Sequence, residues 1–264
     1  MSTVVTNPPV TAPQAITPTT ARKRWLAWRA LVFQLVGIIL AFLVLVIWLV
    51  TAKLTPTELN TLAPDVLWGY TVEHLQLTLL SAVIVLVIAI PVGILLTRRP
   101  LRRFTAPILA LANIGQAAPA VGVVVLLAFW LGFGFWAATV GLVLYAALPV
   151  LRNTMVGLQQ VDPRLVEAGR GMGMTAAAVL FKVELPLAVP VMLSGIRTAL
   201  VLLVGTAALA TFINGGGLGI LITTGVNLNL TTVLITGAVL VALLALLIDW
   251  VGRVVEHVAR PKGI

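Results

Sequence analysis

The chain has 264 residues, 60% of them hydrophobic and 9% charged, where a soluble domain carries about 25% charged residues, so it has too few polar side chains to coat a water-facing globule. Seventeen Lys and Arg against eight Asp and Glu give a formal net charge of +9; in a soluble chain this balance would suggest nucleic acid, but here the basic residues sit at the ends of long uncharged runs, which argues against nucleic acid as a partner. Cysteine is absent, which removes disulfides, thiolate metal sites and a cysteine nucleophile.

The first 21 residues are rich in Thr, Pro, Ala and Val, carry no charge and lack a helical period. They cannot build a core, and with Arg22, Lys23 and Arg24 they make residues 1–27 an expected disordered cytoplasmic tail. The uncharged run from Ala30 to Ala52 is too long for the apolar part of a secretory signal, so 28–52 is expected to be a retained first transmembrane helix. Lys53 to Glu73, with Pro56, Glu58, Pro64 and Asp65, reads as a polar connection. His74 to Thr97 offers 24 residues without Asp, Glu, Lys or Arg before Arg98, Arg99, Arg102 and Arg103, enough at about 1.5 Å per residue to cross about 30 Å of hydrocarbon.

Forty-eight residues between Arg103 and Arg152 carry no formal charge, which predicts two spans joined by a turn at Leu131-Gly132-Phe133-Gly134-Phe135. The 51 residues from Thr198 to Ile248 likewise predict two spans, separated by Asn214-Gly215-Gly216-Gly217 with Asn227 and Asn229. Six transmembrane helices result. With both termini cytoplasmic, sixteen of the seventeen basic residues fall on inner segments, and Lys53 alone lies outside, beside Glu58, Asp65 and Glu73, as positive-inside bias requires. Trp48, Trp68, Trp130 and Trp136 then fall near the outer border and Trp25, Trp28 and Trp250 near the inner one. His74 and His257, far apart in sequence, read as interfacial histidines rather than zinc ligands.

The span interiors hold no ionisable group that could bind a coupling ion, Asp249 and Arg197 being placed at cytoplasmic ends; a sodium site made of unwound backbone is the one remaining route to ion coupling. No G-x-x-x-x-G-K-[ST] and no G-x-S-x-G occurs, so ATP must bind another protein and a catalytic reading has little to stand on.

The long segment from Arg152 to Leu187 is the informative exception. Asp162-Pro163 is a helix start, Gly173 a plausible left-handed terminus after Gly171, and Thr175 can cap a second short helix, Ala176 to Glu184, with Pro186 ending it or opening the next span. Two short helices joined by a glycine turn form a knob that either docks a partner or lies on the membrane surface as a linker.

Glu167-Ala168-Gly169, Gly173 six residues after the Glu, and Val183-Glu184-Leu185-Pro186 resemble the EAA loop of binding-protein-dependent ABC import permeases, with Gly169 where the family motif has Ala. Over roughly residues 70 to 255 the chain is similar to the subgroup importing quaternary amines such as glycine betaine, choline or carnitine. The segments that carry this are Pro91–Arg98, Leu148–Thr154, Glu167–Thr175, Ser194–Ala199 and Gly215–Gly219. At Gln116-Ala117-Ala118-Pro119-Ala120 the chain departs from the Gln-Thr-Ile-Pro-Ser common in such permeases and loses two hydroxyls.

The resemblance implies an all-α, polytopic type I ABC importer permease fold: a transmembrane domain over 70–255, a cytoplasmic coupling loop over 160–187 and a cytoplasmic tail over 256–264. It implies coupling to the ATPase through Glu167, Ala168, Gly169, Gly173, Leu185 and Pro186, with no cofactor in this chain and ATP and Mg on the partner. The implied partners are cytoplasmic ABC ATPase subunits, a separate or independently tethered extracytoplasmic substrate-binding protein, and a second permease subunit in a homo- or heterodimer. The implied location is the cell membrane. An importer of an amino acid or another small solute is the alternative.

Overall fold

A computed structural model describes the backbone of residues 19–259 and the side chains of 28–259; residues 1–18 of the expected tail and the last five residues lie outside the described part. Among the described residues every regular element is helical: α1 (Thr19–Thr51), α2 (Pro56–Thr61), α3 (Pro64–Thr97), α4 (Thr105–Ala117), α5 (Ala120–Leu131), α6 (Phe135–Gln159), α7 (Pro163–Gly171), α8 (Ala176–Val179), α9 (Leu185–Ala207), α10 (Gly219–Asn227) and α11 (Thr231–Ala259). A π-turn over Leu180–Glu184 joins α8 to α9, and 3-10 turns occupy Arg102–Phe104 and Ala208–Ile213.

Five of these stretches are long and apolar enough to cross a membrane: α1 from Trp28, α3, α6, the run from α8 through α9 to Ile213, and α11. The sixth crossing expected from sequence is not a single helix, because α4 and α5 meet at 101°. Pro119 supplies the reason: it has no N–H to continue the ladder and forces the preceding residue out of helical geometry, and Ala118 is extended at φ −65°, ψ 144°. The turn expected after Leu131 is present, with Gly132 at φ +86° and Gly134 at φ +126°.

Two boundaries also differ from expectation. Helix α1 starts at Thr19, inside the segment read as a disordered tail, because Ala21 to Arg29 contains no helix breaker and its Ala, Arg, Lys and Leu are good helix formers. Helix α3 starts at Pro64, ten residues before the uncharged run, so its polar first turns project beyond the apolar stretch.

The core is a three-helix contact of α3, α6 and α9, lined by Leu77, Val85, Leu142, Leu151, Ala199 and Leu203. Apolar burial does little to drive helices together in lipid, so close packing at small residues has to do it. A Cβ placed on Gly93 would lie 2.9 Å from Thr154 Cβ, one on Gly157 3.0 Å from the Ala188 carbonyl oxygen, and one on Gly195 2.4 Å from Asn153 Cβ. Helix α1 stands outside this core against α11, held by Trp250 Nε1 donating to the Leu31 carbonyl at 2.9 Å and Gln34 Nε2 donating to Asp249 at 3.1 Å. Asp249 and Arg197, placed from sequence at the ends of spans, are joined: Arg197 lies 3.6 Å from Asp249 and 3.1 Å from Glu256, and Arg253 lies 2.8 Å from Asp249.

Helix α2 carries a capping box in which the Thr55 side chain accepts from Glu58 N while Glu58 Oε2 accepts from Thr55 N at 2.9 Å. The Thr55 backbone N–H first, then the hydroxyls of Thr232 and Thr55, hold the Glu58 carboxyl below its ordinary value of 4.5 against the opposing effect of burial. A carboxyl depressed in the folded state contributes stability that is present above its unfolded value and lost as pH falls through the folded one. The thermal midpoint of the purified protein should therefore fall as pH drops below about 4.5, and Glu58→Gln should weaken that dependence in melts from pH 7 to pH 3.

Candidate coupling knob and its anchors

The end of the molecule that carries Arg98, Arg102 and Arg103 also carries α7 and α8. Asp162 caps α7, its Oδ1 accepting from Arg164 N at 2.9 Å, with Pro163 in the first turn. The helix closes in a Schellman pattern: Gly173 N donates to the Arg170 carbonyl at 2.9 Å and Met174 N to the Gly169 carbonyl at 3.1 Å, with Gly173 at φ +83°. Thr175 Oγ1 then accepts from Ala178 N at 3.2 Å and starts α8. Each of these local signals is readable in the sequence.

The path of the chain beyond α8 is not. Instead of one short helix from Ala176 to Glu184, the chain passes from α8 through the π-turn into α9 without a stop. Pro186 in the first turn of α9 has no N–H for an i→i−4 bond, and its ring would press on the carbonyl of Lys182; the wider π-turn relieves that clash. Pro186 therefore opens the span, and the knob is continuous with a transmembrane helix.

The sequence-predicted residues do not all face the same way. Glu167, Ala168, Gly173 and Pro186 are exposed, Leu185 is half-buried, and Gly169 is buried. Gly169 faces the second arm of the knob, where a Cβ would meet Val179 Cγ2 at 3.4 Å and Met174 Sδ at 3.5 Å. The small third residue of the motif thus serves the packing of α7 on α8. On the knob the large apolar side chains Leu165, Met172 and Phe181 are exposed, as are Arg164, Arg170 and Lys182.

Sequence reasoning missed the anchors of this end. Glu184 is buried, and Arg98, which caps the end of α3, grips it with both terminal guanidinium nitrogens: Nη1 donates to Oε1 at 3.2 Å and Nη2 pairs with Oε2. A carboxylate within the apolar Val183-Glu184-Leu185 was the available signal, since a buried charge demands a partner.

At the opposite end the residues after α9 form a tight loop, with Asn214 at φ +60° and Gly216 and Gly217 at φ +84° and +86°. Glu73 Oε2 accepts from Gly217 N at 2.9 Å. His74, expected at an interface, is instead fully buried in α3, its Nε2–H donating to the Val204 carbonyl at 2.9 Å. His257 packs edge-on against Trp28 with ring centroids 5.2 Å apart. Among the described residues no three His, Cys, Asp or Glu side chains gather as a metal site.

Residues 89–260 match the family described as binding-protein-dependent transport system inner membrane component. The chain is 40% identical over 208 residues to the glycine betaine/carnitine/choline transport system permease protein OpuCB of Bacillus subtilis (strain 168), covering 79% of this chain and 94% of that protein. It is 41% identical over 194 residues to the choline transport system permease protein OpuBB of the same organism, covering 74% and 88%. To the osmoprotectant import permease protein OsmW of Salmonella typhimurium it is 37% identical over 199 residues, covering 74% and 92%. Among solved structures, an inward-facing MetNI methionine ABC transporter aligns at a TM-score of 0.66 with 27% identity, covering 76% of this chain and all of the matched chain.

Proposed function

Because the chain belongs to the family of binding-protein-dependent transport system inner membrane components, we propose that it carries a small quaternary-amine osmoprotectant of the glycine betaine, choline or carnitine class into the cell. It is the membrane-spanning permease of an ABC importer, a transport component and not an enzyme, and hydrolysis of ATP sits on a separate subunit. The observation that carries the substrate class is the 40% identity to OpuCB across 94% of that protein.

In this reading the basic end is cytoplasmic, in keeping with positive-inside bias, and the knob formed by α7 and α8 docks an ATPase subunit. Leu165, Met172 and Phe181 would supply the apolar contacts, with Glu167 and Ala168 beside them. The buried Gly169 would set the spacing of the knob's arms, and Leu185 and Pro186 would root it in α9. A second permease subunit completes the path, and an extracytoplasmic binding protein delivers substrate to the far end. The break between α4 and α5 fits the same reading. The last carbonyls of α4 and the first N–H groups of α5 meet at this break, and such opposed partial charges suit a zwitterion that must pass without binding tightly.

The test is uptake by cells lacking their own osmoprotectant importers and supplied with this chain, its ATPase and its binding protein. Labelled glycine betaine, choline or carnitine should accumulate, and accumulation should stop when ATP is depleted with the ion gradients maintained. Uptake that persists without ATP would defeat the importer mechanism. Uptake of methionine or another amino acid with no competition from the three amines would defeat the substrate class.

A further inference from the structure

We propose that α3 is the rod that carries movement of the knob to the glycine loop at the far end of the molecule, with Arg98 and Glu73 as its two clamps. The inference rests on the permease reading and assigns the transmission within it to named side chains.

Three observations support it. At the knob end, Arg98 holds Glu184 through two parallel nitrogen–oxygen contacts, and Glu184 is 7% exposed. Separating the pair would leave a carboxylate uncompensated in a buried site, a strongly unfavourable state, so the π-turn and the end of α3 must move together. At the far end, Glu73 accepts from Gly217 N while a Cβ on Gly217 would fall 3.0 Å from His74 Nδ1 and 3.3 Å from His74 Cα, and His74 holds the Val204 carbonyl of α9. The loop therefore sits directly on α3. Between the clamps, α3 runs unbroken from Glu73 to its C-cap Arg98, a distance of about 38 Å at 1.5 Å per residue.

Pro91 lies inside α3 and is the point at which such a rod could bend. Two residues on, Gly93 presses against Thr154 of α6, where even a Cβ would come within 2.9 Å, and this contact limits sideways bending. A displacement of the knob is thus passed along the helix to the loop.

The experiment uses the assembled importer. The native chain has no cysteine, so Phe212→Cys places a single thiol on an exposed residue beside the glycine loop. Maleimide labelling is timed without nucleotide and with a non-hydrolysable ATP analogue, and ATP-dependent uptake of labelled glycine betaine, choline and carnitine is measured on the same preparations. In the parent complex the nucleotide should change the labelling rate. Arg98→Ala or Glu184→Gln should abolish that change and lower the ratio of uptake to ATP hydrolysis about tenfold, whereas the exchanged pair Arg98→Glu with Glu184→Arg should restore part of both. Glu184→Gln, which keeps the side-chain shape, carries the test if Arg98→Ala does not assemble. A nucleotide response that survives both single substitutions overturns the rod. So does a parent complex whose labelling ignores nucleotide, and ATP-dependent uptake by that complex would leave the permease reading standing.

Discussion

Gly195→Ala should abolish correct assembly of the helix bundle, although it adds one methyl group. Its Cβ would lie 2.4 Å from Asn153 Cβ, 2.8 Å from Asn153 Cγ and 2.8 Å from the Pro149 carbonyl oxygen, well inside the roughly 3.5–4.0 Å at which carbon atoms rest against each other. The neighbours cannot yield easily. Asn153 is held by its own Nδ2 donating to the Pro149 carbonyl at 2.8 Å, and that carbonyl belongs to the backbone of α6. Relief therefore requires α6 and α9 to separate, which also opens the Gly157 contact with Ala188 further along the same seam. Overpacking a well-filled site costs about 1–3 kcal/mol, and a clash with backbone should lie at or beyond the upper end. The check is the yield of monodisperse protein in detergent and its thermal midpoint: Gly195→Ala should lose most of the folded fraction, while Ser194→Ala, one residue earlier, should not.

Such contacts mark the boundary of what the amino-acid sequence discloses. The charge-free runs ended by Arg98 to Arg103, Arg152 and Asp249 located the apolar stretches, because hydropathy depends on composition and composition is local. Asp162-Pro163, Gly173 and Thr175 were legible for the same reason: capping is a hydrogen bond between near neighbours in sequence. Direction and partnership were not legible. A run of 48 uncharged residues does not disclose that Pro119 turns the chain through 101°, nor does the isolated Glu184 disclose that Arg98, 86 positions away, closes on it. His74 misled because a lone histidine beside an apolar run suits a membrane border as well as a buried bond to a carbonyl 130 positions away. Within Glu167-Ala168-Gly169, the pattern identified Gly169 as small without indicating that its smallness faces Val179 and Met174 inside the knob.

That inward orientation separates the two glycines of the knob and leads to the second expected result, that Gly173→Val disables uptake whereas Gly169→Ala does not. Position 173 has open space around it, since no atom lies within 4 Å of where a Cβ would stand, but its φ is +83°. A left-handed residue other than glycine costs about 1–2 kcal/mol, and a β-branched side chain is a particularly poor occupant. The easier escape is to leave that conformation, which breaks the Gly173–Arg170 and Met174–Gly169 bonds that close α7 and loosens the turn that sets α7 against α8. At Gly169 a Cβ meets only ordinary contacts of 3.4 Å and longer, inside a helix where alanine is favoured over glycine by about 1 kcal/mol. Gly173→Val should therefore insert and fold in the membrane yet lose about tenfold or more of its uptake, in proportion to the population of the closed knob. Gly169→Ala should keep uptake and raise the thermal midpoint slightly. Measuring uptake beside the amount of ATPase subunit that co-purifies decides the matter: full uptake by Gly173→Val would remove the knob from the coupling path, and loss of uptake in Gly169→Ala would show that the partner, and not Val179, requires the missing methyl group.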